Sequence, residues 1–157
     1  MNKGHDEMQT NHYRRFAAMI GLHFIAMYVF MYAMVNSFAN VFNNFNQVYM
    51  AALMTSSMVL IELPLMWSMY KSKKINIAIL AVGFLLLVGS WFGIRKQAAI
   101  NDRQFLRSMI PHHAGAILMC QEASLRDQEI TDLCRGIVAG QQAEIDQMKA
   151  KLEQLSR

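Results

Sequence analysis

The sequence predicts an all-α membrane protein in which three transmembrane helices precede a long antiparallel helical hairpin. The chain of 157 residues is 54% hydrophobic, and its apolar residues are concentrated in three long runs. Between Phe16 and Tyr70 the only charged side chain is Glu62, whereas the part from Arg95 onward carries nine basic and eight acidic residues. In that charged part the apolar residues recur with helical spacing in two successive stretches, which indicates two amphipathic helices.

The three apolar runs have the length of membrane-spanning helices, which need about 20 residues to cross a hydrocarbon core of ~30 Å. We expect spans within residues 16–38, 47–70 and 75–95, joined by an asparagine-rich loop at 36–46 and a basic turn at 71–74. Residues 1–15 are polar and are expected to form a short mobile tail. No small-residue cleavage site follows the first run, so we expect an uncleaved anchor and not a signal peptide.

Basic residues in short loops predict the orientation of the spans. Arg14 and Arg15 precede the first span and three lysines occupy the turn at 71–74, whereas the asparagine-rich loop is uncharged. We therefore expect a cytoplasmic tail (1–15), a transmembrane domain (16–96) and an extracytoplasmic hairpin (97–157), periplasmic if the membrane is a bacterial inner membrane. The basic pI near 9.2 comes from these flanking residues. It gives no support for nucleic-acid binding, and no nucleophile–base pair predicts an enzyme.

Methionines and two ionisable groups lie inside the first two spans, and they admit two interpretations. Ionisable groups are costly in a bilayer and suggest a function, here a methionine-lined route for a metal ion. The alternative is helix packing, with His23 hydrogen-bonded to Glu62 or to a hydroxyl group. The 14 methionines of the chain likewise suit either soft-metal coordination or flexible apolar packing. The candidate route consists of His23, Met27, Met31, Met54, Met58 and Glu62.

The hairpin is predicted from helix signals after residue 100. Asn101 or Asp102 is a suitable N-cap, and Pro111 either kinks the first helix or opens a new one as its first residue. The charged stretch 126–129 suits a turn, and residues 129–155 form the second helix.

One face of the first hairpin helix carries a soft-metal ligand set. At ~100° per residue, its histidines, methionines and cysteine fall within an arc of ~120°. The second helix is expected to place Glu144 among core residues opposite this face, where the carboxylate needs a cation or a hydrogen-bond partner. The histidines and Glu144 equally suit a structural network without metal. The candidate set is Met109, His112, His113, Met119, Glu144 and Met148, with Cys120 as a further soft ligand.

The two cysteines lie seven residues on either side of Asp127, the expected turn. Cys120 and Cys134 can therefore form a disulfide in an oxidising compartment or remain thiols near the site. We expect free thiols.

The string MIPHHAGAILM, from Met109 to Met119, followed by the Ile137–Met148 segment, resembles the domain-of-unknown-function 305 family. The resemblance covers about residues 102–155. It implies a ferritin-like helical fold and, as for some members, periplasmic copper binding. It further implies that Met109, His112, His113, Met119 and Met148 are candidate ligands of Cu(I) or Cu(II), with Asp102 and Glu144 as supporting carboxylates.

The chain departs from this family in two ways. Cys120 and Cys134 stand where small residues are usual, and one hairpin replaces the larger set of helices of better known soluble members. Since one hairpin cannot close a four-helix bundle, we expect two or more subunits to pair their hairpins. Gly89 and Gly93, in GxxxG spacing, suit close helix association within or between subunits.

The predicted function is a membrane-anchored periplasmic copper-binding protein for copper sequestration, resistance or delivery. One alternative is a copper transporter that uses the methionine stripes of the spans, which are similar to those of trimeric copper-uptake channels. A second alternative is a structural or pH-sensing membrane protein.

Overall fold

The computed structural model describes residues 3–156, and over that range the chain contains five α-helices and no strand. The helices are α1 (Lys3–Phe30), α2 (Phe45–Leu65), α3 (Lys73–Lys96), α4 (Asp102–Glu122) and α5 (Gln128–Gln154). Short 3₁₀ helices occur at Met31–Met34, Phe38–Asn40 and Trp67–Met69. The chain divides into two compact units: the part up to Phe30 with Val48–Ala98, and Met31–Gln47 with the part from Ala99 onward.

In the described part of the chain, three helices are long and apolar enough to cross a membrane, the same number as the predicted spans. They cover Thr10–Met34, Phe45–Leu65 and Lys73–Lys96. Most of their large apolar side chains are exposed on the protein, as in Leu22 at 68% and Leu85 at 68%. Such a surface suits contact with lipid better than contact with water.

The ends of the first two spans differ from the predicted ones. Helix α1 begins at Lys3, so most of the expected mobile tail is helical; residues 1 and 2 lie outside the described range. No proline interrupts this stretch, and Glu7, Met8 and Gln9 favour helix. Helix α2 ends at Leu65, five residues earlier than predicted. Pro64 lies inside α2, and the Met66 amide after it still donates to the Glu62 carbonyl at 2.9 Å, before the 3₁₀ helix at Trp67–Met69.

The first unit packs through small side chains of α3. The buried residues of this helix are Asn76, Gly83, Ser90 and Gly93, and small residues let neighbouring helix backbones approach closely. At one end, the Tyr13 hydroxyl donates to Asn76 Oδ1 at 2.8 Å, and Asn76 Nδ2 donates to the Tyr70 carbonyl at 2.9 Å. These bonds satisfy the fully buried Asn76 amide.

The second unit contains the predicted hairpin. Ile110 and Ile117 of α4 pack against Ile145 and Leu152 of α5, and all four are buried. Asn101 caps α4 by accepting from the Gln104 amide at 3.0 Å, which confirms one of the two predicted caps. Asp127 caps α5 in the same way through the Ile130 amide at 3.0 Å.

The connection between α1 and α2 belongs to the hairpin unit and is more than a linker. Met31–Gln47 packs against α4, where the Met34 carbonyl oxygen lies 3.4 Å from the position of a Cβ built on Gly115. Asn40 and Asn44 are buried at 4% and 3% exposure. The connection and the segment after α3 therefore pack in one compact unit.

Candidate functional site

His113 is the best-positioned candidate ligand on α4. It is 7% exposed, and both ring nitrogens face acceptor oxygens. Nδ1 lies 2.9 Å from the Met109 carbonyl oxygen, and Nε2 lies 2.6 Å from Glu144 Oε2 on α5. Because a carbonyl oxygen only accepts, Nδ1 carries the hydrogen of this bond. The proton between Nε2 and Glu144 then belongs either to the imidazole or to the carboxyl group.

The turn of α4 that leads to His113 accepts a hydrogen bond from a residue outside the helix. Pro111 lies inside α4, which is continuous, so the interpretation in which Pro111 opens a new helix is wrong. Since proline has no N–H, the Arg107 carbonyl one turn earlier lacks its helical partner. Asn44 Nδ2 donates to that carbonyl at 3.4 Å and to the Phe42 carbonyl at 2.9 Å. The connection thus supplies the hydrogen bond that the helix cannot make.

The other candidates on α4 surround His113 at lower burial. His112 is exposed, and its ring centroid lies 6.1 Å from that of His113. Met109 is half-buried, whereas Met119 is 54% exposed. Asp102 is exposed in the first turn of α4. Adjacent histidines point about 100° apart on a helix, so only one of them faces α5.

The predicted register of α5 is wrong by one residue at Glu144. The buried residues are Ile145 and Leu152, whereas the Glu144 side chain is 56% exposed. Glu144 therefore does not lie among core residues and reaches His113 from the rim of the hairpin. Met148 does pack against the core, as predicted.

Cys120 and Cys134 form a disulfide, so the expectation of free thiols is wrong. The two Cα atoms lie 5.3 Å apart across the hairpin, well inside the range that a disulfide permits. Because its sulfur is bonded to Cys134, Cys120 offers no thiolate to a metal ion. The predicted turn near Asp127 already implied that the two cysteines lie opposite each other on the two helices of the hairpin. The prediction was wrong only in choosing free thiols instead of a disulfide.

Among the side chains that the structure describes, no group of three or more His, Cys, Asp or Glu residues is placed to hold a metal ion. The hairpin does bring His113 of α4 and Glu144 of α5 together. Any larger ligand set needs the methionines, a rearranged His112 or a second molecule.

His23 and Glu62, the two ionisable groups of the candidate metal route, do not pair with each other. No hydrogen bond joins His23 to Glu62 in the described part of the chain, and Glu62 Oε2 is buried without a partner. Met58 and Met66, one turn before and after Glu62, pack on a cluster of α1 and α2 residues that also contacts Met19. Met54 is 42% exposed, and Met27, Met31 and His23 are half-buried.

The two glycines of the GxxxG pair have different surroundings. A Cβ at Gly93 would lie 3.1 Å from the Tyr49 ring, so this glycine serves helix contact within the chain. A Cβ at Gly89 would have nothing within 4 Å.

Comparison with known proteins places the hairpin in a family. Residues 94–152, which include all of α4 and most of α5, match the family described as "Domain of unknown function (DUF305)". The match supports the assignment of this region to the DUF305 family. The matched region therefore contains the His113–Glu144 pair and the disulfide.

A viral relative extends the likeness beyond the DUF305 region. "Uncharacterized protein L153" of Acanthamoeba polyphaga mimivirus is 34% identical over 121 residues, which cover 76% of this chain and 78% of that protein. A match of this length cannot fit within the hairpin, so it includes part of the apolar helices. No solved structure matches the chain.

Proposed function

We propose that this protein is a membrane-anchored copper-binding protein that serves copper sequestration, resistance or delivery. The orientation of His113 is the observation that carries the proposal. A backbone carbonyl that accepts from Nδ1 fixes the imidazole ring and leaves Nε2 as the nitrogen available to a metal ion. Metal-binding histidines are commonly held in this way, and Nε2 of His113 already faces the carboxylate of Glu144 at 2.6 Å.

The residues around His113 fit copper in either oxidation state. Imidazole and thioether groups suit Cu(I), whereas imidazole with a carboxylate suits Cu(II). His113 and Glu144 would hold the ion, with the exposed His112 and the half-buried Met109 as the nearest further donors on α4. Met119 and Met148 lie further toward the turn and the core, respectively, and Asp102 is a supporting carboxylate at the start of α4.

Titration of the purified full chain with Cu(I) under a competing chelator tests the proposal. We expect tight binding by the wild type and a loss of at least tenfold in affinity for His113→Ala, with a smaller loss for His112→Ala. His12→Ala, which removes an imidazole from α1, serves as the matched control. Unchanged affinity in the double variant His112→Ala/His113→Ala would exclude the hairpin as the copper site. A melting temperature that copper does not change, but that shifts between pH 5 and 8, would instead favour the pH-sensing function. The His113–Glu144 pair also suits that function.

The proposed location is the bacterial inner membrane, with the N-terminus in the cytoplasm and the hairpin in the periplasm. The distribution of basic residues supports this orientation. The Cys120–Cys134 disulfide supports it independently, because disulfides persist in oxidising compartments such as the periplasm. Alkaline phosphatase fused after α5 should be active, whereas a fusion in the turn at 71–74 should be inactive; the reverse pattern would contradict the orientation.

We also propose that two or more copies pair their hairpins. Phe105 and Met119 of α4 and Leu133 of α5 are exposed at 51%, 54% and 62%. Pairing would bury these side chains and bring a second set of donors to a site that has one His–Glu pair per chain. Light scattering of the full chain in detergent should give at least twice the monomer mass, and Leu133→Glu should reduce it.

Copper transport is a second candidate function, favoured by the unpartnered oxygen of Glu62. Burial of a carboxylate in the bilayer costs free energy, so a carboxylate within a membrane span usually serves a function. Met58 and Met66 lie one helical turn before and after Glu62. Copper flux into proteoliposomes should then fall in Glu62→Gln and Met58→Leu, and less in Met54→Leu because Met54 is exposed. Flux that is absent in the wild type, or equal in all variants, would exclude this function.

A further inference from the structure

A basic cavity in the second unit lies apart from the His113 site. Its volume is about 260 Å³, and Arg103 and Arg107 of α4 and Lys149 of α5 line it together with Glu153. Three cations and one carboxylate give it a net positive charge. Phe42 and Leu152 add an apolar side.

The cations of this cavity outnumber the one carboxylate that lines it. The ion pairs His113–Glu144 and Asp132–Arg135 do not involve Arg103, Arg107 or Lys149. The Nε atom of Arg107 is buried and has no hydrogen-bond partner. A buried guanidinium N–H without an acceptor is costly, and it indicates that an acceptor from outside the chain completes the site.

The cavity lies beside the beginning of a candidate membrane span. The backbone amide of Phe45, the first residue of α2, donates to Gln104 Oε1 at 3.0 Å, and Gln104 lies between the two arginines on α4. Phe42, which lines the cavity, precedes Phe45 by three residues, a reach of ~11 Å at most. The cavity therefore lies close along the chain to the first residue of a helix that is long and apolar enough to cross a membrane.

We propose that this cavity binds a phosphate group, supplied by the headgroup of an anionic membrane lipid. Arginine forks match phosphate oxygens in a bidentate way, and lysine adds a point charge. Phe42 and Leu152 would contact the apolar part of the same lipid. The bound lipid would hold the hairpin unit against the membrane surface, independently of any metal at His113.

Titration of the full chain in neutral detergent with dioctanoyl phosphatidylglycerol, followed by native mass spectrometry, tests this proposal. We expect Arg107→Gln to weaken lipid binding about tenfold or more, and the double variant Arg103→Gln/Lys149→Gln to weaken it similarly. Arg126→Gln, the same charge change in the exposed turn between α4 and α5, should leave binding within twofold.

Inorganic phosphate in a parallel titration identifies the source of the phosphate group. If inorganic phosphate displaces the lipid at a concentration similar to that of the lipid, the cavity is a phosphate site whose ligand is the free anion. If the lipid binds and inorganic phosphate does not displace it, the ligand is the lipid headgroup. The proposal is overturned if neither probe binds, if Arg107→Gln and Arg103→Gln/Lys149→Gln bind as tightly as the wild type, or if Arg126→Gln weakens binding equally. Copper affinity measured on the same variants should not change, so failure here is separable from failure of the copper proposal.

Discussion

Asn44→Ala should weaken the hairpin unit more than its position in a connecting segment suggests. Asn44 is 3% exposed and makes three hydrogen bonds. Its Oδ1 caps α2 through the Gln47 amide at 2.9 Å, and its Nδ2 donates to the Phe42 and Arg107 carbonyls. In a regular helix the residue at position 111 would donate to the Arg107 carbonyl, but Pro111 has no N–H.

The magnitude follows from these bonds. Loss of the cap costs about 1 kcal/mol, and a buried carbonyl left without a donor costs about 1–3 kcal/mol. The opening free energy of this part of the unit should therefore fall by about 2–4 kcal/mol. Since each 1.4 kcal/mol is a factor of ten, amide hydrogen exchange in α4 should become ~30- to 700-fold faster.

Hydrogen-exchange mass spectrometry of the full chain in detergent measures this effect directly. Ser37→Ala is the matched control, because Ser37 lies in the same connection, is exposed and makes no side-chain cap bond. Exchange in α3, which belongs to the other unit, should be unchanged in both variants. Two results would refute the claim that Asn44 stabilises the turn of α4 before Pro111. One is the same amide exchange rate in α4 of the wild type and Asn44→Ala, and the other is an equal acceleration by Ser37→Ala.

Two further predictions concern the hairpin cross-link and the helix contacts of the first unit. Replacing Cys120 and Cys134 with serine removes a cross-link between positions 14 residues apart and should destabilise the hairpin by about 3 kcal/mol. Circular dichroism melting measures this, and dithiothreitol should lower the melting temperature of the wild type but not of the double variant. Gly93→Ala should lower the melting temperature because its Cβ meets the Tyr49 ring at 3.1 Å, while Tyr49 is held by a hydrogen bond to the Ala98 carbonyl at 2.8 Å. Gly89→Ala should raise stability by about 0.5–1 kcal/mol through helix propensity, and a loss equal to that of Gly93→Ala would contradict this assignment.

The helices could be predicted from the sequence because their signals are local. Apolar runs, the Asn101 cap and the helical spacing after residue 100 each depend on neighbouring residues, and the structure contains the corresponding helices. The end of α2 at Leu65 has no such local signal, because the apolar run continues past it to Tyr70.

Contacts between distant segments could not be predicted in the same way. Asn44 lies in a polar segment whose composition is typical of a loop, and only its contact with Arg107 shows its role. Glu144 and Ile145 are neighbours on a helical face, and a shift of about 100° decides which one is buried. The cysteines had the correct separation for a disulfide, but spacing alone does not fix the redox state.

Anomalous scattering from copper-soaked crystals of the full chain tests the central proposal most directly, because it locates the ion. We expect a copper peak within bonding distance of His113 Nε2 and beside the Glu144 carboxylate, and no such peak in crystals of His113→Ala. A peak confined to the Glu62 region, or the same hairpin peak in His113→Ala crystals, would contradict the assignment of the hairpin as the copper site.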